Sequence, residues 1–249
     1  MISDQQRCIY DMNPLAEVIC QLRFPEILSI QANIPANFQE AIRHIFPKYA
    51  ARAETIPGKN PPSNNYQFMT ADGMWRVNLT SKFISLSCGK YTCWEDFANM
   101  LDKPLAAFIQ IYKPAYFERI GLRYVNFISR ECLNLSGVPF RELMEPSYLG
   151  ILADEDVLES ATLRCSVDVE TALRGSCRVK IHAGPGKVNR NGKMDPEVEF
   201  IFDQDLFMAG NIPVNTSADT LQTLHSQSYG IFRGAITEKL HDAMDPVYL

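Results

Sequence analysis

Apolar and polar residues alternate along several short tracts of this chain, while two longer tracts repeat their apolar positions every three to four residues. The first pattern predicts strands and the second predicts helices. Leu15 to Phe24, LAEVICQLRF, is rich in β-formers and closes on Pro25, so it reads as a strand. Pro35 stands at a helix start, and Phe38, Ala41, Ile42, Ile45 and Phe46 follow at helical spacing until Pro47, which predicts a short amphipathic helix. Pro57 to Asn65, PGKNPPSNN, has no apolar anchor to offset its ordering entropy and reads as a mobile surface loop. Tyr66 to Thr70, Met74 to Thr80 and Phe83 to Cys88 are β-type tracts, the first two joined by the turn-forming pair Asp72-Gly73, and they predict an antiparallel meander. Trp75, Val77 and Leu79 alternate with Arg76 and Asn78, so one face is core and the other is wet. Thr92 and Glu95 have capping-box spacing ahead of the stripe Phe97, Leu101, Leu105, Phe108, Ile109 and Tyr112, a long helix that Pro104 should bend or split. Trp75, Tyr91, Trp94 and Tyr112 fall on or beside these stripes and read as core.

Tyr116 to Ile128 predicts a long strand with Ile120, Leu122, Tyr124, Asn126 and Ile128 on one side and Arg119 and Arg123 on the other. Residues 129 to 158, with Gly137, Pro139, Pro146 and the acidic run Asp154, Glu155, Asp156, suit a crossover with short helical turns. Three further strands follow around Leu163 to Val169, Cys177 to Ile181 and Val198 to Phe202, with Gly184 to Pro196 as a long flexible tip between the last two. A C-terminal helix is predicted from about Ala218 to Ala243, with Ser217 as N-cap and Leu221, Leu224, Tyr229, Phe232, Ile236 and Leu240 as its stripe. The expected class is α+β: curved antiparallel sheet packed on two long helices. Residues 1–128 form an N-terminal half, 129–158 a crossover and 159–249 a C-terminal half, the two halves similar in plan and joined in one compact domain.

Composition narrows the function. The 249 residues carry 24 Lys plus Arg against 29 Asp plus Glu, a formal charge of -5, so no global field draws the chain to nucleic acid or anionic lipid. No apolar run approaches the roughly 20 residues of a membrane-spanning helix, and the first ten residues lack the apolar core of a secretory signal. A cytoplasmic location is expected. Seven scattered cysteines fit reduced thiols better than a disulfide framework, and Cys88 and Cys93 have no second pair to close a zinc site. No metal or other cofactor is expected.

The most concrete chemistry is basic. Arg119 and Arg123 share a strand face about 13 Å apart by strand rise, and Arg23 and Arg164 occupy comparable places on other strands. If those faces meet, their guanidinium forks suit a carboxylate or phosphate; the alternative is a solvated face paired with Glu118, Asp168 and Glu170. His225 lies near the stripe of the last helix and would serve as a base only with Cys165 or Ser166 beside it and a carboxylate to orient it, so an interface histidine is the simpler reading. Glu17 is a candidate for partial burial. The tetrapeptide GPGK at Gly184 to Lys187 lacks the spacing, the Ser or Thr after Lys and the following helix of a phosphate loop. Lys187, Arg190 and Lys193 then make a basic hairpin tip.

Three segments together, NPLAEVICQLRFP at Asn13 to Pro25, RIGLRYVNFI at Arg119 to Ile128 and LHSQSYGIFRGAITEKLHDAMDP at Leu224 to Pro246, resemble a family of uncharacterised prokaryotic proteins of sporadic distribution and about this length. The resemblance spans the chain and implies a stand-alone cytoplasmic protein, with no reaction, ligand or catalytic residue to carry over. The expected function is therefore a non-catalytic binding or protein-interaction module with no catalytic residue assigned. The alternative is a small anionic-ligand-binding protein or enzyme, with a pocket between curved sheet and C-terminal helix and Arg23, Arg119, Arg123, Arg164 and His225 as the candidate ligand residues. The expected partner is a protein or a small anion, nucleic acid and membrane are disfavoured, and a homodimer is compatible with the pattern.

Overall fold

The structure is a computed structural model and describes residues 2–54, 63–190 and 192–248. It is α+β with antiparallel sheet, as the alternating tracts predict. The chain divides into two compact units, neither of them continuous in sequence. One comprises Glu17–Leu122 and Phe207–Gln222, the other Met1–Ala16, Arg123–Leu206 and Thr223–Leu249.

In the first of these units strand β2 (Leu15–Arg23) pairs antiparallel with β6 (Phe83–Cys88), which pairs with β5 (Trp75–Leu79). β4 (Ser63–Met69) and β3 (Lys48–Glu54) extend the meander outward. The register puts Cys20 opposite Leu86 and Val77 opposite Leu86, so apolar residues of three strands stand on one face. Helix α3 (Trp94–Tyr112) covers that face with Phe97, Leu101, Leu105 and Phe108, and the rings of Phe24 and Phe108 meet at 4.6 Å. Short helices α1 (Leu28–Ala32) and α2 (Ala36–Ile42) add Ile30, Phe38 and Ile42 to the same core.

Several sequence expectations change here. The loop expected over Pro57 to Asn65 lies outside the described residues as far as residue 62, and residues 63 to 65 already belong to β4. β3 has too few large apolar positions to be recognised from its pattern. The capping box at Thr92 does not form: Cys93 is the N-cap without a side-chain bond, and the Thr92 hydroxyl donates to the Asp96 carboxylate at 2.8 Å. Pro104 leaves α3 unbroken. One lost backbone donor costs about 3 kcal/mol, and a helix burying Phe97, Leu101, Leu105 and Phe108 gains more than that, at roughly 1.5–3 kcal/mol for each buried side chain.

In the other unit the end of β7 (Phe117–Ile128) lies beside β10 (Lys193–Ile212), then β9 (Arg178–Arg190), with β8 (Val167–Ala172) at the edge. Phe200, Phe202 and Leu206 alternate onto the buried face, and Asn126 Nδ2 donates to the Phe202 carbonyl at 3.1 Å. The flexible tip expected at Gly184 to Pro196 is strand almost throughout, with β9 reaching Arg190 and β10 starting at Lys193. Between them Gly192 takes φ +82°, a region that favours glycine. The strand expected from Leu163 begins only at Val167, and Leu163 is fully exposed.

The single C-terminal helix is two helices, α4 (Ser217–Arg233) and α5 (Glu238–Ala243). Between them the backbone leaves the helix to bond the crossover. Glu145 N donates to Ala235 O at 2.8 Å, Thr237 N donates to Leu143 O at 3.0 Å, and Ile236 bridges Met144. Thr237 then caps α5 by accepting from Leu240 N. Because Phe232, Ile236 and Leu240 are buried before, within and after the break, the apolar stripe runs through it and conceals it from a periodicity argument. In the crossover, short 3-10 turns at Phe140–Glu142, Pro146–Tyr148 and Gly150–Ala153 occupy the stretch where the Pro and Gly residues predict them, and a fourth at Glu159–Ala161 follows just beyond it.

Candidate functional site

A cavity of about 750 Å³ lies wholly within the second unit, where the crossover meets β9 and β10. Arg130, Arg141, Arg164 and Lys187 line it, and Glu159 is the one carboxylate among its lining residues. Each is placed by a local device. Arg130 Cζ lies over the Phe140 ring, 3.9 Å from its centroid, and Nη1 donates to Val138 O at 3.0 Å and to Glu159 Oε1 at 2.7 Å. The other Glu159 oxygen accepts Phe140 N at 2.8 Å. Both carboxylate oxygens are thus engaged, and Arg130 and Glu159 cancel in charge. Arg141, Arg164 and Lys187 remain, exposed and without a hydrogen bond or close ion pair among the described residues, although Glu142 lies in the field of Arg141 and Asp168 in that of Arg164. Positive charge is in excess there although the whole chain is acidic.

Arg164 is aimed by the residues after it. Cys165 Sγ donates to Leu149 O at 3.4 Å, and the backbone of Cys165 and Ser166 passes directly over Gly184. A Cβ at Gly184 would stand 2.5 Å from Cys165 O and 3.0 Å from Ser166 Cα, and one at Gly186 would stand 2.6 Å from Ile201 Cδ1. The glycines of GPGK therefore admit a neighbouring backbone and a neighbouring side chain, and Lys187 follows them into the cavity wall. The neighbour of Gly184 is backbone and cannot swing aside, so Gly184→Ala is expected to cost about 1–3 kcal/mol. Chemical denaturation of parent and variant measures the loss. Unchanged stability would show that the segment yields freely.

The residues singled out from the sequence do not form one cluster. Arg23 is exposed at the end of β2. Arg119 stacks over the Phe207 ring at 4.5 Å, across Gly121, where a Cβ would collide with the guanidinium. Arg123 is held by Asp203, with Nε to Oδ1 at 2.8 Å and Nη2 to Oδ2 at 2.5 Å. It lines a smaller recess of about 470 Å³ in which His182 meets Asp168 at 2.7 Å and Lys180 meets Glu170 at 3.4 Å, and with Asp203 and Asp205 also in the lining that surface is acidic. His225 is buried, and its Nδ1 shares a hydrogen bond of 2.9 Å with the Tyr124 hydroxyl. Neither Cys165 nor Ser166 is its partner in that bond. Glu17 is half-buried on β2. Of the five, Arg164 alone lines the large cavity.

Two other polar clusters stand in the same unit. Arg190 Nη2 contacts both oxygens of Glu199 at 2.7 Å, Glu199 is fully buried, and burial raises its carboxyl above the ordinary value while Arg190 opposes the shift. Arg190 is thereby a structural ion, not part of a basic tip. Glu238, His241 and Asp242 bring potential metal-ligand atoms within 4.8 Å of one another. However, both His241 nitrogens are bonded, to Tyr10 at 2.8 Å and Tyr248 at 3.2 Å, and both Glu238 oxygens meet Arg233 at 2.6 Å. These side chains tie β1 (Cys8–Tyr10) and β11 (Pro246–Tyr248), an antiparallel pair, to α5.

Sequence reasoning missed Arg130, Arg141 and Glu159, and treated Lys187 as part of a soluble tip. The available signal was weak: three widely spaced arginines, Arg130, Arg141 and Arg164, in a stretch that also carries Glu131, Glu142, Glu145, Glu159 and the acidic run Asp154 to Asp156. Loops held by a rigid scaffold are where binding residues concentrate. No family model matches the chain, and no curated protein matches it.

Proposed function

We propose that this chain is a non-catalytic binding protein that takes a small organic anion into the cavity lined by Arg130, Arg141, Arg164 and Lys187. The observation that carries the reading is the excess of positive charge there: three cations are left over once Arg130 and Glu159 have cancelled. A volume of about 750 Å³ is in the range of small-ligand sites, and guanidinium forks match carboxylate and phosphate geometry. The non-catalytic part is supported by Glu159, the one carboxylate of the lining, which is held as the counter-ion of Arg130 and the acceptor of the Phe140 amide. In the same reading the protein works in the cytoplasm of a prokaryote and belongs with the uncharacterised family that its three segments resemble. Its seven free cysteines accord with a reducing compartment.

The test is calorimetric titration with inorganic phosphate and pyrophosphate at moderate salt, on the parent chain and on Arg164→Glu. Arg164 is exposed and makes no ion pair among the described residues, so the variant should melt within a degree or two of the parent and bind at least tenfold more weakly. Arg23→Glu makes the same change in net charge outside the cavity and should leave affinity intact. Equal weakening by both variants would reduce the effect to a diffuse field and defeat the proposal.

A further inference from the structure

The cavity that holds the excess cations also leaves large aliphatic side chains uncovered. Leu163 is 102% exposed, Leu158 67% and Val198 36%, and all three line the same recess as Arg141, Arg164 and Lys187. Scattered exposed leucines need no explanation, but aliphatic groups gathered in one concave lining mark a binding surface. Leu163 gains nothing where it is. It directly precedes Arg164, and the tethering of Cys165 to Leu149 O and over Gly184 holds both residues at the cavity. A purely polar anion would satisfy the cations and leave these side chains in water, whereas a purely apolar ligand would desolvate unpaired guanidinium groups, which is costly.

We infer that the ligand is a single-chain amphiphile, with a carboxylate or phosphate head among Arg141, Arg164 and Lys187 and an alkyl tail over Leu158, Leu163 and Val198. The inference rests on the anion reading above and deepens it. Each methylene that the aliphatic wall covers should tighten binding by roughly two- to fourfold, so affinity should climb with tail length until the wall is used up. Covering Leu163 should account for part of that slope, while the head contributes an offset that is independent of length.

The experiment titrates methyl, butyl, hexyl and octyl phosphate, the matching n-alkyl carboxylates and 1-octanol into the full chain, all below their aggregation concentrations. The expected result is a rise of at least tenfold from methyl to octyl in a charged series, with octanol far weaker than the best octyl anion. Comparing the two series identifies the preferred head. Leu163→Asn, on a side chain with no buried contact to lose, should flatten the length dependence and leave methyl phosphate unchanged. Arg164→Glu should weaken every charged member by a similar factor. If methyl and octyl phosphate bind equally, the amphiphile inference fails while the anion reading stands. If no anion binds, both fail. Octanol binding as tightly as octyl phosphate, or a slope untouched by Leu163→Asn, would also overturn the inference.

Discussion

Arg190→Ala should destabilise the protein by about 3 kcal/mol at neutral pH, and the deficit should shrink as the pH is lowered toward 4.5. Glu199 is 0% exposed, and Arg190 Nη2 sits 2.7 Å from each of its oxygens. Removing the guanidinium leaves a carboxylate buried without its counter-ion, a loss of roughly 3–5 kcal/mol; the lower end applies because the Arg190 side chain is itself 49% exposed and partly screened. Burial is the main reason that the Glu199 carboxyl is raised above 4.5, with Glu197 and Asp195 adding to it and Arg190 opposing it. A carboxyl raised in the folded state binds its proton more tightly there than in the unfolded chain. Its favourable contribution is therefore fully present below about 4.5, its ordinary value, and is lost as the pH rises through the raised folded value. Without Arg190 the carboxyl rises further, so the variant loses most at pH 7 and recovers most on acidification. Urea denaturation of parent and variant at pH 7 and pH 4.5 measures the two gaps. A gap that does not change with pH would mean that water reaches Glu199 and the pair is not a buried ion pair. Glu199→Gln, which keeps the shape and a hydrogen bond from Arg190, should cost less than Arg190→Ala and show little of this pH dependence.

The contrast between Arg190 and Arg164 shows what the sequence can convey about a site. Pattern alone puts Arg164 on a strand face as a candidate anion ligand and Arg190 in a basic hairpin tip. Arg190 acquires a buried partner because Glu199 sits nine residues on, on the strand that β9 pairs with. Arg164 is left without one because the chain after it is pinned over Gly184. Neither outcome depends on residue type, and both depend on register and on which backbone passes over which glycine. Elements with strong periodicity were legible: β2, the meander, α3 and β7 fall where their alternation or stripe places them. Boundaries set by tertiary hydrogen bonds were not. The stretch from Gly234 to Thr237 breaks a helix in order to pair with Leu143 to Glu145, residues about 90 positions earlier, and nothing local announces that exchange. The same holds for the cavity, whose lining comes from the crossover, Leu163 to Cys165 and both strands of a hairpin. Only its cationic residue types were visible in advance.

Phe202→Ala should be among the most damaging single changes in the chain, costing about 3–5 kcal/mol. The ring is fully buried on β10 and meets two rings from different elements, Tyr148 in the crossover at 5.3 Å and Phe232 on α4 at 6.0 Å, both edge-on. Edge-to-face pairs add roughly 0.5–1.5 kcal/mol to the value of the area they bury, and neither neighbour can follow a retreating side chain without leaving its own packing. A cavity should therefore persist. Leucine at this position fills most of that space and should lose only part of the stability, so the ratio of the two losses separates cavity from ring geometry. Local consequences should follow the contacts. Amide hydrogen exchange ought to accelerate around Leu143 to Leu149 and near the end of α4, which the ring holds against the sheet, while β4, β5 and β6 keep their protection. The Asn126 bond to the Phe202 carbonyl involves backbone and survives the substitution, so β7 and β10 should stay paired. A loss below about 1.5 kcal/mol, or faster exchange spread evenly over the whole chain, would mean that the crossover does not depend on this ring.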